Sequence, residues 1–220
     1  MLQKIKEKVN RLREINKQKY LVNKMTMVLN HVAAAGKILI GLFSLSIFFI
    51  INGFYSLAVG SAKIVFLRGR KDAGEDNISE RKYYFAMAVI LAVASICYIV
   101  YMIRLFFIPS NASYSEIIGI TAAAIAFFEH ITAIIGIVKS NREKDLLKNG
   151  MKCVNLASAF TAISFAQVAL ISMNSQADMS VYYAFGGVFF GVCCSFVSIY
   201  MFIKYIIVGG KENLSDEKSE

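Results

Sequence analysis

The sequence predicts an all-α protein, a polytopic transmembrane helical bundle that carries a basic amphipathic helix at its N-terminus. Of the 220 residues, 57% are hydrophobic, and they form long apolar blocks separated by short charged ones. Most blocks reach or exceed the roughly 20 residues that a helix needs to cross the hydrocarbon core of a bilayer. The transmembrane domain is predicted over residues 38–208, with apolar segments at 38–67, 83–108, 117–138, 153–173 and 181–208.

The N-terminal segment, residues 1–37, is predicted to form the basic amphipathic helix. It contains nine Lys or Arg residues against two Glu, and its apolar residues Leu2, Ile5, Val9 and Leu12 follow one another at spacings of three and four. This spacing places them on one face of a helix. Because cytoplasmic leaflets carry anionic lipid, we expect the lysines to bind headgroups at the inner surface.

The first apolar segment, residues 38–67, is too long for one upright helix. Its 30 residues would extend about 45 Å at about 1.5 Å per residue. Three arrangements remain open: one tilted helix, a hairpin broken near Asn52 and Gly53, and a first pass that begins upstream near Met25. The first gives five passes through the membrane, and the other two give six.

The charges of the later loops predict the orientation. Residues 68–82 and 139–152 are rich in Lys and Arg, whereas 109–116 and 174–180 contain neither. Cytoplasmic loops carry the excess of positive charge in membrane proteins. We therefore expect both basic loops and the polar C-terminal tail, residues 209–220, to be cytoplasmic.

The side of the N-terminus depends on the number of passes. A single pass through residues 38–67 would leave the basic N-terminal segment outside, which favours an even number. Lys24, Asn30, His31 and Lys37, however, make the stretch before residue 38 a poor span. Five conventional passes therefore remain an alternative.

An intramembrane polar site is predicted around Glu129, because an ionisable group at that depth costs on the order of 3 kcal/mol to insert. Small residues share its helix face, so Glu129 is expected to point into the bundle. Ser158 and Thr161 lie at a similar depth on the next segment and are its predicted hydrogen-bond partners, and Gln167 continues the same polar series. His130 follows Glu129 in the sequence, but the side chains of adjacent helical residues point about 100° apart. His130 is therefore not expected to share the helix face of Glu129.

Two interpretations of Glu129 remain open at this point. It is either a protonatable or ion-binding group on a transport path, or a carboxyl that hydrogen-bonds a neighbouring helix. A separate motif in the last segment, Gly187, Gly191 and Ser195, repeats small residues every four positions and predicts close helix packing within the chain.

Several function classes are not expected. The four cysteines lie in or beside apolar blocks without a CxxC pair, and no hydrolase or phosphate-binding motif occurs, so we predict no metal, no cofactor and no enzymatic activity. The formal net charge of +9 is accounted for by anionic lipid beside the span ends, which leaves no reason to expect a nucleic-acid partner.

The stretches NLASA at residues 155–159, QVALIS at 167–172 and NGFYS at 52–56 resemble those of small polytopic membrane proteins of bacteria, an uncharacterised group. The resemblance implies a multi-pass protein of the bacterial inner membrane and no activity. The first functional hypothesis is a non-enzymatic membrane subunit or scaffold, with a membrane or cytoplasmic protein as a further candidate partner. The alternative is a small channel or an ion- or proton-coupled transporter that uses the intramembrane carboxylate.

Overall fold

Six α-helices and no strand make up the described part of the chain, which confirms the all-α helical bundle. The computed structural model describes residues 2–44, 46–72, 77–108, 116–139, 145–174 and 179–216. The helices are α1 (Leu2–Phe43), α2 (Ile47–Asp72), α3 (Asn77–Arg104), α4 (Glu116–Lys139), α5 (Leu146–Asn174) and α6 (Ser180–Asp216).

Five of these helices are long and apolar enough to cross a membrane, as expected of a multi-pass membrane protein. The apolar spans are Lys24–Phe43 in α1, Ile47–Asp72 in α2, Glu80–Arg104 in α3, Leu146–Ser172 in α5 and Ser180–Gly210 in α6. In α4, which has 24 residues, the described apolar stretch is shorter and covers Gly119–Ile131.

The first apolar block is divided between Phe43, where α1 ends, and Ile47, where α2 begins, so the single tilted helix is the wrong one of the three arrangements left open. The backbone N–H of Ser44 donates to the carbonyl of Ile40 at 2.9 Å, and that of Ser46 donates to Gly41 at 2.8 Å. The Ser44 hydroxyl also donates to the Ile40 carbonyl at 2.6 Å. These bonds satisfy the last carbonyls of α1 inside an otherwise apolar stretch, and the hairpin pairs α1 with α2.

The pair Asn52 and Gly53 lies within α2, so the alternative of a hairpin broken near these residues is also wrong. Asn52 Nδ2 donates to the carbonyl of Phe48, one helical turn earlier, at 3.2 Å. A Cβ atom added at Gly53 would lie 2.5 Å from Ile38 Cγ1 and 3.1 Å from the carbonyl oxygen of Ala34. Gly53 therefore allows α1 and α2 to approach closely. The arrangement observed is the third alternative, in which the apolar part of the first helix begins upstream near Met25.

Several helices extend beyond the predicted apolar segments. Helix α1 continues through the predicted boundary between residues 37 and 38, α5 begins at Leu146 rather than at 153, and α6 continues to Asp216 through most of the predicted tail. Hydropathy marks the part of a helix that suits lipid, whereas backbone hydrogen bonding continues until a cap ends it. The predicted apolar stripe of the N-terminal segment falls on side chains that lie outside the described ones.

Helix α5 occupies the centre of the bundle. It packs against α2, α3, α4 and α6, while α1 packs against α2 and α4. Of the apolar windows, that of α5 is the most enclosed, with 61% of its residues buried, and that of α1 is the least, with 22%. An aromatic cluster joins α2 to α5, where the ring centroids of Phe49 and Phe165 lie 5.0 Å apart.

Candidate functional site

A buried ion pair lies between α1 and α4. Lys37 Nζ lies 2.7 Å from Glu129 Oε2, and the two side chains are only 2% and 5% exposed. Ser56 on α2 completes the group, because its hydroxyl accepts a hydrogen bond from Lys37 at 3.0 Å and donates to Glu129 Oε1 at 3.3 Å. Three helices are thus joined by one charged group of side chains.

The ammonium group of Lys37 also lies over an aromatic ring of the central helix. Its Nζ atom is 4.6 Å from the centroid of Phe165. A cation over the face of an aromatic ring is attracted by the ring quadrupole, and the attraction is stronger where water is excluded. The side chain of Lys37 therefore contacts residues of α2, α4 and α5, although the apolar span of its own helix is the least buried of the five.

A second buried lysine, Lys63, lies on α2 two helical turns after Ser56. Lys63 is 2% exposed. The orientation of the Asn30 amide that satisfies both its ends places its oxygen 3.2 Å from Lys63 Nζ and lets its nitrogen donate to the carbonyl of Thr26 at 3.1 Å. Asn30 is itself buried, so the polar contact is enclosed. Glu129 also interacts electrostatically with Lys63.

The register of the α1–α2 hairpin explains why these contacts occur in pairs. Lys37 is seven residues after Asn30, and Lys63 is seven residues after Ser56. A spacing of seven returns to the same helix face after about two turns. Because the helices are antiparallel, one face of α1 meets one face of α2 twice, once at Lys37 with Ser56 and once at Asn30 with Lys63.

Gly60 lies between these two contacts and determines how closely the helices approach there. A Cβ atom at this position would lie 2.5 Å from Cε1 of His31. The imidazole of His31 makes a hydrogen bond through Nδ1 to the carbonyl of Met27 at 2.9 Å. The ring is thus held against its own helix and packs on the bare backbone of α2.

The same face of α2 ends in a third charged contact. Arg70, seven residues after Lys63, places Nη1 2.6 Å from Asp145 Oδ2. Lys148 Nζ lies 3.3 Å from the same oxygen, and the backbone N–H of Lys148 donates to Asp145 Oδ1 at 3.2 Å. Asp145 therefore caps the start of α5 and ties it to the end of α2.

The structure buries Glu129 and gives it two bonded partners, Lys37 and Ser56, that were not predicted from the sequence. Thr161 donates to carbonyls of its own helix, those of Ala157 at 3.2 Å and Ser158 at 3.1 Å. Lys37 and Ser56, on other helices, both bond to Glu129, and the pairing of Glu129 with Ser158 or Thr161 stays a prediction. A hydroxyl on α5 finds a carbonyl in its own helix, so it gains little from crossing to another.

The other predicted site residues lie apart from Glu129. The side-chain amide of Gln167 packs against Gly186 of α6, where an added Cβ would lie 2.5 Å from Gln167 Oε1. His130 is half-buried, and within the described part of the chain its Nδ1 atom has no hydrogen-bond partner. Neither residue joins the group formed by Lys37, Ser56 and Glu129.

The small residues of α6 lie against α3. A Cβ atom at Gly187 would lie 2.6 Å from Met102 Cγ, and one at Gly191 would lie 2.6 Å from Ile99 Cγ1. The hydroxyl of Ser195 is buried without a hydrogen-bond partner among the described residues. The two glycines thus lie at a close contact between helices of the same chain.

The partners missed from the sequence were Lys37, Ser56, Lys63 and Asn30. A charge count could have indicated the first and third, because Glu129 is the only Asp or Glu inside the apolar segments while Lys37 and Lys63 lie in or beside the first of them. An isolated charge in hydrocarbon needs a partner of opposite sign. Nothing in the local sequence indicates Ser56, which is one of many apolar-block serines.

A separate groove between α2 and α3 is apolar. Its volume is about 380 Å³, no charged residue lines it, and its lining residues include Phe54, Tyr55, Val93 and Cys97. Within the described residues, no group of three or more His, Cys, Asp or Glu side chains is placed to hold a metal ion. The charged group around Glu129 is therefore the candidate site, and its chemistry is that of a buried ion pair.

Comparison with known proteins supplies no family. No protein-family profile matches the chain, and a search of curated proteins finds no match. The resemblance to small bacterial membrane proteins stays a prediction from the sequence.

Proposed function

We propose that the chain is a non-enzymatic membrane subunit or scaffold of the bacterial inner membrane, whose basic N-terminal half of α1 binds anionic lipid headgroups on the cytoplasmic side. The observation that carries the proposal is the continuity of α1 from Leu2 to Phe43. A 42-residue helix extends about 63 Å, about twice the thickness of a hydrocarbon core. Its apolar span begins only at Lys24, so the preceding basic half lies outside the hydrocarbon.

The buried end of α1 supports an anchoring role. Lys37 contacts α2, α4 and α5 through Ser56, Glu129 and Phe165. These contacts hold the apolar half of α1 to the bundle, and the basic half then begins at a defined place on the surface. A fixed array of lysines attracts an anionic surface by about 1 kcal/mol per residue near the headgroups.

We infer the orientation by counting α4, whose described apolar stretch is shorter, as a sixth pass. Six passes would put both termini on one side, together with the basic loops at residues 68–82 and 139–152. The connections at 44–46, 109–115 and 175–178, which contain no Lys or Arg, then share the other side. Every loop agrees with the positive-inside rule in this arrangement.

Limited trypsin digestion in nanodiscs tests the lipid contact. Cleavage after the lysines and arginines before residue 24 should slow several-fold when phosphatidylglycerol is added to phosphatidylcholine, and salt at about 0.5 M should restore it because screening weakens surface attraction. Cleavage at Lys211 is the internal control. Equal cleavage of the N-terminal sites in both lipids contradicts lipid binding, and co-purification of a stoichiometric protein through the same segment would point to a protein partner.

We propose a second candidate, a small channel or an ion- or proton-coupled transporter, because the buried carboxylate of Glu129 faces two lysines, Lys37 and Lys63. A carboxylate that exchanges a proton would release Lys37. Purified protein in vesicles should then carry a proton or cation flux that Glu129→Gln abolishes and that Glu116→Gln, at the exposed start of α4, leaves unchanged. The same flux from Glu129→Gln, or no flux from the natural chain, removes this candidate.

A further inference from the structure

We propose that the apolar groove between α2 and α3 holds one acyl chain of a phospholipid whose phosphate binds to Arg104. This inference goes beyond the proposed scaffold function and does not depend on the basic N-terminal segment. Arg104 ends α3 and lies at the end of the bundle opposite the start of α1. The lining, length and position of the groove support the inference, together with the charge at one of its ends.

The lining of the groove suits a hydrocarbon chain. The volume of the groove is about 380 Å³, and its lining consists of aliphatic and aromatic side chains with one cysteine, Cys97. A polar ligand would lose its hydrogen bonds to water there and gain no charged partner in return. An acyl chain has no hydrogen bonds to lose.

The groove is open to the hydrocarbon of the membrane. It lies within the apolar spans of α2 and α3, and Phe54 and Val93 line it while remaining exposed. Half-buried Ala58 and Ala94 also line it, and their short side chains leave space between the two helices. A chain that fills this space gains dispersion contacts with both helices, whereas a chain on a convex surface contacts only one side.

The length of the groove matches one leaflet. Its lining on α3 runs from Val89 to Tyr98, which is about 14 Å at about 1.5 Å per residue. Half of a hydrocarbon core is about 15 Å thick. One acyl chain of the leaflet at the Arg104 end of the bundle can therefore follow the groove over its whole length.

A cation lies beyond the groove at this end. Arg104 is exposed and is the only Lys or Arg between residues 82 and 139. It follows Cys97 by seven residues, so it lies on the groove-lining face of α3 about two turns further along. Because the Cα–Cβ bonds of a helix tilt toward its N-terminus, that of Arg104 leans toward the groove.

Arg104 is suited to bind the phosphate of the same lipid. Among the described residues, no carboxylate lies within ion-pair distance of its guanidinium group. The guanidinium presents its N–H donors in a planar fork that matches a phosphate. Since the phosphate and the acyl chain belong to one molecule, binding of the chain raises the effective concentration of phosphate at Arg104. A lipid bound at both points is held more strongly than neighbours that contact only one.

Photocrosslinking of the full-length natural chain in neutral detergent tests the site. The probe is phosphatidylglycerol with a diazirine on one acyl chain, and mass spectrometry locates the adducts. They should form within residues 51–58 and 89–98, and unlabelled phosphatidylglycerol should compete in a saturable manner. Diacylglycerol with the same acyl chains lacks the phosphate and should compete about tenfold less well, because a hydrogen bond between charged groups accounts for about that factor in affinity.

Matched variants separate the two halves of the site. In Arg104→Gln the two lipids should compete equally, whereas in Lys82→Gln, an exposed cation at the other end of α3, the tenfold difference should persist. Ala94→Phe fills the groove and should remove its saturable adducts. Ala124→Phe, at an exposed alanine of α4, should leave them unchanged.

The outcomes distinguish this site from the N-terminal one. Saturable adducts in the groove, with a preference for phosphatidylglycerol that Arg104→Gln abolishes, support the proposal. Adducts in the groove that do not saturate, or a preference that Arg104→Gln retains, overturn it. The comparison of the two lipids in the natural chain does not require a folded variant. Adducts before residue 24 report on the N-terminal segment, so failure here leaves the lipid-binding proposal for that segment untouched.

Discussion

Single residues in this bundle matter most where charge is removed from water. Burial of an ammonium and a carboxylate costs several kcal/mol per ion, and the attraction between them offsets that cost only when the geometry is good. Lys37 and Glu129 meet this condition at 2.7 Å, with Ser56 bonded to both. Loss of Lys37 leaves Glu129 with Lys63 alone, whereas loss of Glu129 leaves two buried lysines without that carboxylate.

We therefore expect Glu129→Gln and Lys37→Met each to lower the free energy of unfolding by about 3 kcal/mol. The double variant should be more stable than the sum of the two losses predicts, because neither member of the Lys37–Glu129 pair then remains buried without the other. Unfolding in mixed micelles, followed by circular dichroism, measures this. Ser56→Ala is the control that keeps both charges and should cost about 1 kcal/mol. Additive losses in the double variant would show that the two groups do not interact.

Asp145 provides a contrast, because it combines a helix cap with a partly exposed ion pair. Its Oδ2 atom lies 2.6 Å from Arg70 Nη1, and its Oδ1 atom accepts a hydrogen bond from the backbone N–H of Lys148 at 3.2 Å. Asp145→Asn keeps a capping oxygen and loses the charge, so it should lower the free energy of unfolding by less than about 1 kcal/mol. Asp145→Ala also loses the cap and should cost about 1 kcal/mol more. Equal losses, measured by the same unfolding assay, would exclude a capping role.

At the scale of elements, the close packing of α1 against α2 depends on positions where a glycine backbone on one helix contacts the other helix. Gly53 approaches Ile38 and the carbonyl of Ala34, whereas Gly36 on α1 has no heavy atom within 4 Å of an added Cβ. Both glycines lie within helices. The same substitution therefore has opposite expected effects at the two positions.

Gly53→Ala should lower the free energy of unfolding by about 1–3 kcal/mol, because the new methyl group forces α1 away from α2. Gly36→Ala should raise it by up to about 1 kcal/mol, since alanine loses less backbone entropy in a helix. Melting temperatures of the purified variants give the comparison. A stabilising Gly53→Ala would mean that α1 and α2 are further apart than the structure places them.

At the scale of the molecule, an even number of membrane passes predicts which side of the membrane each loop faces. In a chain whose four cysteines are first replaced, single cysteines at residues 10, 112, 144 and 177 report the topology. A membrane-impermeant maleimide added to intact cells should label 112 and 177 and spare 10 and 144. The reason is the positive-inside rule applied to six passes. Labelling of residue 10 with protection of residue 144 would indicate an odd number of passes between them.

Much of this architecture is a local property of the sequence. A long apolar block must form a helix in lipid, because no water is present to bond its backbone groups. Hydropathy along 83–108, 153–173 and 181–208 therefore sufficed to predict α3, α5 and α6. Burial of Glu129 was also predictable, since an acid inside such a block avoids lipid by facing other helices.

The turn and the ion pair depend on contacts distant in sequence. Ser44 and Ser46 end one helix and begin the next, yet they resemble serines within helices elsewhere in the chain, and the Asn52–Gly53 pair looked the better turn. Lys37 reaches Glu129 across 92 residues. By local hydropathy alone, Lys37 and Asn30 make the stretch before residue 38 a poor membrane span. The packing of α1 against α2 and α4 provides the partners that make burial of these two side chains favourable.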